Sequence, residues 1–235
     1  MSDVVLPQAQ PAGGGLPERL NAVRSGIAAA AASAGRDASE LTTIVVTKFH
    51  PVALIEELAA LGVQDVGESR HQEAQGKAES MAGLDLTWHF VGQVQGKKAR
   101  QVRAYSTVIH SVDRASLVDA LASDASVVDC FIQVNLTDDL GRGGVVPEEL
   151  DTLVERVLGT TGLRLLGLMA VAPIGTPPRR AFARVRELGE RTRRLAPEAT
   201  SLSMGMSQDY AEAIAEGATH LRIGTAITGK RPLSG

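Results

Sequence analysis

Residues 127–169 read VVDCFIQVNLTDDLGRGGVVPEELDTLVERVLGTTGLRLLGLM. Val127 to Val134 is an apolar, β-branched run of strand length. From Pro147 onward, Leu150, Leu153, Val154, Val157 and Leu158 recur at i, i+3, i+4, i+7 and i+8. That stripe predicts an amphipathic helix with proline in its first turn. Leu163 to Met169 is a second apolar run, again of strand length. Strand, helix, strand is the repeating unit of an α/β fold.

The same alternation extends in both directions. Further strands are predicted at Thr42 to Val46, Val63 to Val66, Thr87 to Val91, Thr107 to Ile109, Thr200 to Leu202 and His220 to Ile223, which brings the number to eight. Leu20, Val23 and Ile27, followed by the alanine block Ala28 to Ala32 and closed by Gly35, predict an extra helix ahead of the first strand. Residues 1–15, with two prolines and Gly13-Gly14-Gly15, read as a flexible tail. Eight strands alternating with helices over residues 16–235 predict a single (β/α)8 TIM barrel with an extra N-terminal helix. An open doubly wound sheet is the alternative.

Composition narrows the function classes. The chain has 235 residues, of which 44% are hydrophobic and only 3% aromatic, so aliphatic side chains must fill the core. A single cysteine, Cys130, excludes an internal disulfide and a cysteine zinc cage. The net charge of −3 gives no general attraction to nucleic acid or anionic membrane, and no apolar run reaches the ~18 residues of a membrane span. The start, MSDVVLPQAQ, lacks a secretion-signal pattern, so a cytoplasmic protein is expected. The histidines show no metal-ligand spacing, and no metal is expected. Among 24 Lys plus Arg, only Lys48, Lys77, Lys97, Lys98 and Lys230 are lysine.

In a barrel of this kind the C-terminal strand ends form the working face, and the loops after strands seven and eight commonly bind phosphate. Lys48 follows strand one. Ser203 to Ser207 follow strand seven, opening a helix at Gln208, and Gly224-Thr225 follow strand eight. Ser207 and Thr225 offer hydroxyls, and the residues around Gly224 offer backbone N–H groups at a helix start. A lysine set against apolar walls loses solvation, which favours the neutral, nucleophilic amine. A phosphate cradle facing such a lysine suits a sugar-phosphate aldehyde, as in an aldolase, or pyridoxal 5′-phosphate (PLP). By position alone, Lys48 reads at least as well as a side chain snorkelling at a strand end.

A set of segments weighs against the snorkelling reading. Thr47-Lys48 with Pro51, Gly67-Glu68-Ser69-Arg70-His71-Gln72-Glu73, and Trp88-His89-Phe90-Val91-Gly92 with Gln95 and Lys98 come first. Gly167-Leu168-Met169, Leu202 to Ser207 and Arg222-Ile223-Gly224-Thr225 complete it. In this order they resemble the pyridoxal phosphate homeostasis proteins, the YggS/PROSC family. The resemblance implies a fold type III PLP barrel, similar to the N-terminal domain of alanine racemase. It implies that Lys48 holds PLP as an internal aldimine, that Ser207, Gly224 and Thr225 contact the phosphate, and that Arg222 faces the pyridine nitrogen. Ser69 is expected near the cofactor, His89 on the cofactor face, and Met204 in backbone contact with it. A guanidinium donor discourages protonation of the ring nitrogen and weakens the ring as an electron sink. Binding without robust turnover is the expected outcome. Three positions depart from the family pattern: Ser69 replaces an Asn, Lys97 replaces an Asn, and Arg142 replaces a lysine in the loop after strand five.

The leading reading is thus an intracellular PLP carrier or buffer, with apo PLP-dependent enzymes as possible recipients and a monomer preferred. An amino-acid racemase of the same fold type needs a second base, and Tyr105 and Tyr210 fall where neither is an obvious one. A Schiff-base aldolase working through Lys48 is the third reading. Two signals mislead. Gly224 to Lys230 spells G-x-x-x-x-G-K but is followed by Arg231 in place of Ser or Thr. The arginines from Arg179 to Arg194 lack interleaved aromatics and read as one solvated helix face.

Overall fold

The computed structural model describes residues 14–139 and 141–230, so most of the tail expected at 1–15 lies outside the described residues. The strands are β1 (Thr42–Val46), β2 (Asp65–Glu68), β3 (Thr87–Phe90), β4 (Val108–Val112), β5 (Val128–Gln133), β6 (Leu163–Met169), β7 (Ser201–Ser203) and β8 (His220–Ile223). All pairings are parallel, in sequence order, and β8 closes on β1 through Thr42↔His220 to Val45↔Ile223. The helices are α1 (Leu16–Ser33), α2 (Val52–Ala60), α3 (His71–Ser80), α4 (Ala99–Tyr105), α5 (Ala115–Leu121), α6 (Leu150–Leu158), α7 (Pro178–Thr192), α8 (Tyr210–Ala215) and α9 (Thr225–Thr228). The α1 helix precedes the barrel and packs on α8 and α9, with the Arg19 Nε–H donating to Ile227 O at 2.8 Å. This is the expected closed barrel, extra helix included.

Side chains alternate across each strand, and the two faces differ in chemistry. Outward residues Val45, Val66, Cys130, Leu168, Leu202 and Leu221 join Ile55 and Leu58 of α2, Leu153 and Val154 of α6, and Phe182 and Val185 of α7 in one continuous apolar shell. Inside the barrel the apolar cluster is much smaller: Val108, Phe131 and Met169, with Leu166 and Val171 against them. Polar groups share that space. His110 stacks on Phe131 at 4.6 Å between ring centroids, and His220 meets the edge of Phe131 at 5.0 Å.

Boundaries differ from the sequence reading where polarity masked a strand. The β4 strand runs on to Val112 because His110 and Ser111 are buried strand residues, although neither continues an apolar run. The β2 strand begins at Asp65, two residues later than the valine pattern suggested. The α6 helix begins at Leu150, so Pro147 lies in the turn ahead of it and not within its first turn. The α8 helix begins at Tyr210, because Asp209 first folds back to accept a hydrogen bond from the Met206 N–H at 2.6 Å.

Candidate functional site

At the C-terminal end of the barrel a cavity of about 430 Å³ opens among strand ends far apart in sequence. Lys48 follows β1, Ser69 follows β2, Val91 and Gln93 follow β3, Gln133 ends β5, Met169 and Val171 come from β6, and Met206 and Ser207 follow β7. Arg222, Gly224 and Thr225 come from β8 and the loop behind it. Its size suits a small organic ligand, with apolar walls and a few convergent polar groups.

Each polar group is held from behind. Lys48 sits on a tight turn whose flanking backbone is pinned by a buried ionic cluster. The Lys77 ammonium, on α3, donates to Thr47 O (2.9 Å), Glu68 Oε1 (2.6 Å) and Glu73 Oε1 (2.6 Å). Glu73 also accepts from the Phe49 N–H at 2.5 Å, and Glu68 from the Thr47 hydroxyl at 2.7 Å. Phe49 has a positive φ of 69°, a strained conformation for a non-glycine residue, and the cluster restrains it. Burial pushes the Glu68 carboxyl up, against the opposing pull of Lys77. The scarcity of lysine named Lys77, but nothing in its spacing gave it a role. A lysine four residues after a glutamate on a helix ordinarily reads as a surface pair.

The turn after β7 is shaped by Gly205, at φ +91°, where a Cβ would lie 2.6 Å from the Ala213 side chain. Its carbonyl accepts the Arg222 N–H at 3.0 Å, which ties the turn carrying Ser207 to β8. Gly224 and Thr225 open α9, whose first N–H groups have no intrahelical acceptor and face the ligand side of the barrel as hydrogen-bond donors. Arg222 is buried, with its guanidinium donating to Ser203 Oγ (2.7 Å) and Ala170 O (2.9 Å). Burial lowers its pKa to about 10, so it stays charged at neutral pH and acts only as a donor.

Six of the eight sequence-nominated residues therefore share one cavity: Lys48, Ser69, Ser207, Arg222, Gly224 and Thr225. Two are placed elsewhere. His89 points into the barrel one layer lower, where it is fully engaged with His110 and Asp65. The Met204 side chain is completely buried in the apolar shell, and its neighbour Met206 lines the cavity. Lys48 itself is exposed, so apolar enclosure is not what the turn provides; it provides position.

A second cavity of about 550 Å³ adjoins the first and shares Ser69 and Gln93 with it. Arg70, His71, Gln95 and Lys98 line this neighbour, not the cavity of Lys48. Gly92 brings the two loops together, since a Cβ there would lie 2.1 Å from Ser69 O.

Residues 19–232 match the family model for the alanine racemase N-terminal domain. The chain is 39% identical over 224 residues to a pyridoxal phosphate homeostasis protein of Pseudomonas aeruginosa, covering 92% of this chain and 96% of that one. The chain belongs to the pyridoxal phosphate homeostasis protein family. The Escherichia coli member is 35% identical over 231 residues, covering 93% of this chain and 98% of its own. A structure of PipY from Synechococcus elongatus with PLP bound superposes with a TM-score of 0.80 at 33% identity, over 92% of this chain and 100% of that one. Alanine racemase from Corynebacterium glutamicum shares the fold alone: TM-score 0.69 at 16% identity, over 92% of this chain and 62% of that one.

The donor set of the cavity suits the ligand that the family name carries. PLP, when bound, supplies an aldehyde that reacts reversibly with an amine, a phosphate, and a planar ring with one nitrogen. The cavity offers one amine, the three hydroxyls of Ser69, Ser207 and Thr225, one guanidinium and apolar walls of Val46, Val91, Met169 and Val171. Among the described residues no group of three His, Cys, Asp or Glu side chains could hold a metal ion, and no helix is long and apolar enough to cross a membrane.

Proposed function

We propose that this chain binds PLP in the cavity between Lys48 and Thr225 and serves PLP homeostasis in the cytoplasm, holding the cofactor and releasing it to apo PLP-dependent enzymes. The observation that carries the reading is the convergence of Lys48, Ser207, Thr225 and Arg222 on one small cavity from three different strand ends. Lys48 Nζ is the attachment point for the aldehyde, on a turn fixed by Lys77 and Glu73. Ser207, Thr225 and the N–H groups opening α9 hold the phosphate. Arg222 donates to the ring nitrogen and keeps it unprotonated, which disfavours chemistry at the substrate α-carbon.

The lining also bears on the racemase alternative. Apart from Lys48, the cavity contains, among the described residues, no tyrosine, histidine, cysteine or carboxylate that could serve as a second base. Tyr105 stacks on His71, and the Tyr210 hydroxyl lies under Gly26, so neither lines the cavity. This favours retention and release over racemisation.

Titration with PLP should produce the absorbance band of a lysine-bound cofactor, and Lys48→Ala should abolish that band. No band with the wild-type chain, or an unchanged band with Lys48→Ala, would sink the proposal. Transfer of labelled PLP to an apo-enzyme faster than free release would support a delivery role, and equal rates would reduce the role to buffering.

A further inference from the structure

Arg222 is a buried cation whose guanidinium donates to a hydroxyl and a carbonyl, not to a carboxylate. Asp209 acts on it only through space. A buried charge without an adjacent counter-charge is costly unless a polar network carries the compensation elsewhere. Such a network runs down the inside of the barrel. Ser203 Oγ, which accepts from Arg222 at 2.7 Å, lies 2.8 Å from His110 Nδ1. His110 Nε2 lies 2.9 Å from His89 Nδ1, and His89 Nε2 lies 2.9 Å from Asp65 Oδ1. Four bonds on five strands link the cavity to Asp65, whose side chain is 30% exposed at the opposite end of the barrel.

The two ends give this chain a direction. Arg222 can only donate and an ionised Asp65 can only accept. Asp65 therefore accepts a hydrogen bond from His89 Nε2–H, which leaves Nδ1 as the acceptor for His110 Nε2–H. His110 Nδ1 is then the acceptor for the Ser203 hydroxyl, whose oxygen is left to accept from Arg222. The reverse order would set the His89 Nε2 lone pair against a carboxylate. One arrangement with neutral rings satisfies every contact.

We propose that Asp65, His89 and His110 are positioning residues for Arg222: a one-way hydrogen-bond relay locks both imidazoles as Nε2–H tautomers and holds the guanidinium through Ser203. The relay sets the donor that faces the cavity and ends on a carboxylate at the far end of the barrel. Its role toward a cofactor rests on the PLP reading above; the relay itself does not.

The test uses the full chain labelled with 15N at histidine and arginine, without cofactor. At pH 7 the wild type should show His89 and His110 as neutral Nε2–H tautomers and slowly exchanging Arg222 Nη–H signals. Asp65→Ala should mix the His89 tautomers and speed Arg222 exchange, and Asp65→Asn, which keeps an acceptor oxygen, should restore both. PLP binding to Asp65→Ala should weaken about tenfold, as for the loss of roughly one charge-assisted hydrogen bond. An Nδ1–H tautomer or an imidazolium at either ring in the wild type overturns the relay, whether or not the variant folds. Unchanged Arg222 exchange in folded Asp65→Ala overturns it as well. A chain that takes up no PLP but shows the relay signals retires the cofactor reading and leaves the relay supported.

Discussion

The two faces of the barrel sheet divide the work of the protein. The outer face is almost wholly aliphatic and continuous with the helices, from Val45 and Val66 to Phe182 and Val185. The inner face carries three histidines, a serine, an arginine and two aspartates around a small apolar cluster centred on Phe131. TIM barrels more often fill that space with bulky branched residues. Here stability is concentrated outside and polarity inside, next to the cavity it organises. Disrupting one face should therefore leave a different signature from disrupting the other.

The largest effect on stability is expected in the shell. Phe182 is fully buried in α7, and Phe182→Ala should cost about 3–5 kcal/mol, the loss of a large side chain plus the cavity it leaves. Urea unfolding should show that drop while PLP affinity per folded molecule stays unchanged. A matching loss of affinity would mean that the two faces are not separable.

Acid should attack the inner face next. Burial lowers the pKa of His220 from 6.5 to about 4 and that of His110 well below 6.5, with neighbouring positive charges adding to both shifts. The folded state then resists a proton that the unfolded chain accepts. Stability from these groups is complete above pH 6.5 and is lost as pH falls toward the folded-state value. For His220 the loss is about 2 kcal/mol by pH 5. His220→Phe, which keeps an aromatic ring against Phe131, should flatten the decline in unfolding free energy between pH 7 and 5; an unaltered slope would place the acid sensitivity elsewhere.

The smallest stability effect belongs to the cavity rim. Lys48 is exposed, and Lys48→Ala should change unfolding free energy by no more than about 0.5 kcal/mol even as it removes the proposed attachment point. Calorimetry of the variant without PLP checks this. A large loss would show that Lys48 carries structural load that its exposure does not suggest.

The shell and the strand count were legible in the amino-acid order because they rest on period. Apolar runs mark the strands, and the stripe from Leu150 to Leu158 marks a helix. Lys48, Ser207, Arg222 and Thr225 were legible for another reason: barrel geometry says where strand ends go, and the resemblance supplied which residue types to seek there. His89 was nominated from its place on a strand, but strand position alone does not give depth in the barrel. Lys77 was visible only as one of five lysines, and His110 carried no signal of its role. Their partners, Glu68 and Thr47 for one and Ser203 and His89 for the other, come from different strands.

By itself, then, the sequence determined an eight-stranded α/β barrel and the residues at the ends of its strands, which follow from local periodicity and residue type, and the family, which follows from the resemblance of its segments. Only the tertiary structure decided that His89 serves the interior and not the cavity, that Lys77 braces the turn of Lys48, and that Asp65 is connected to Arg222. Those outcomes depend on contacts between strands distant in the chain. A buried polar group takes its role from the partner that satisfies it, and closure of the barrel is what brings that partner within reach.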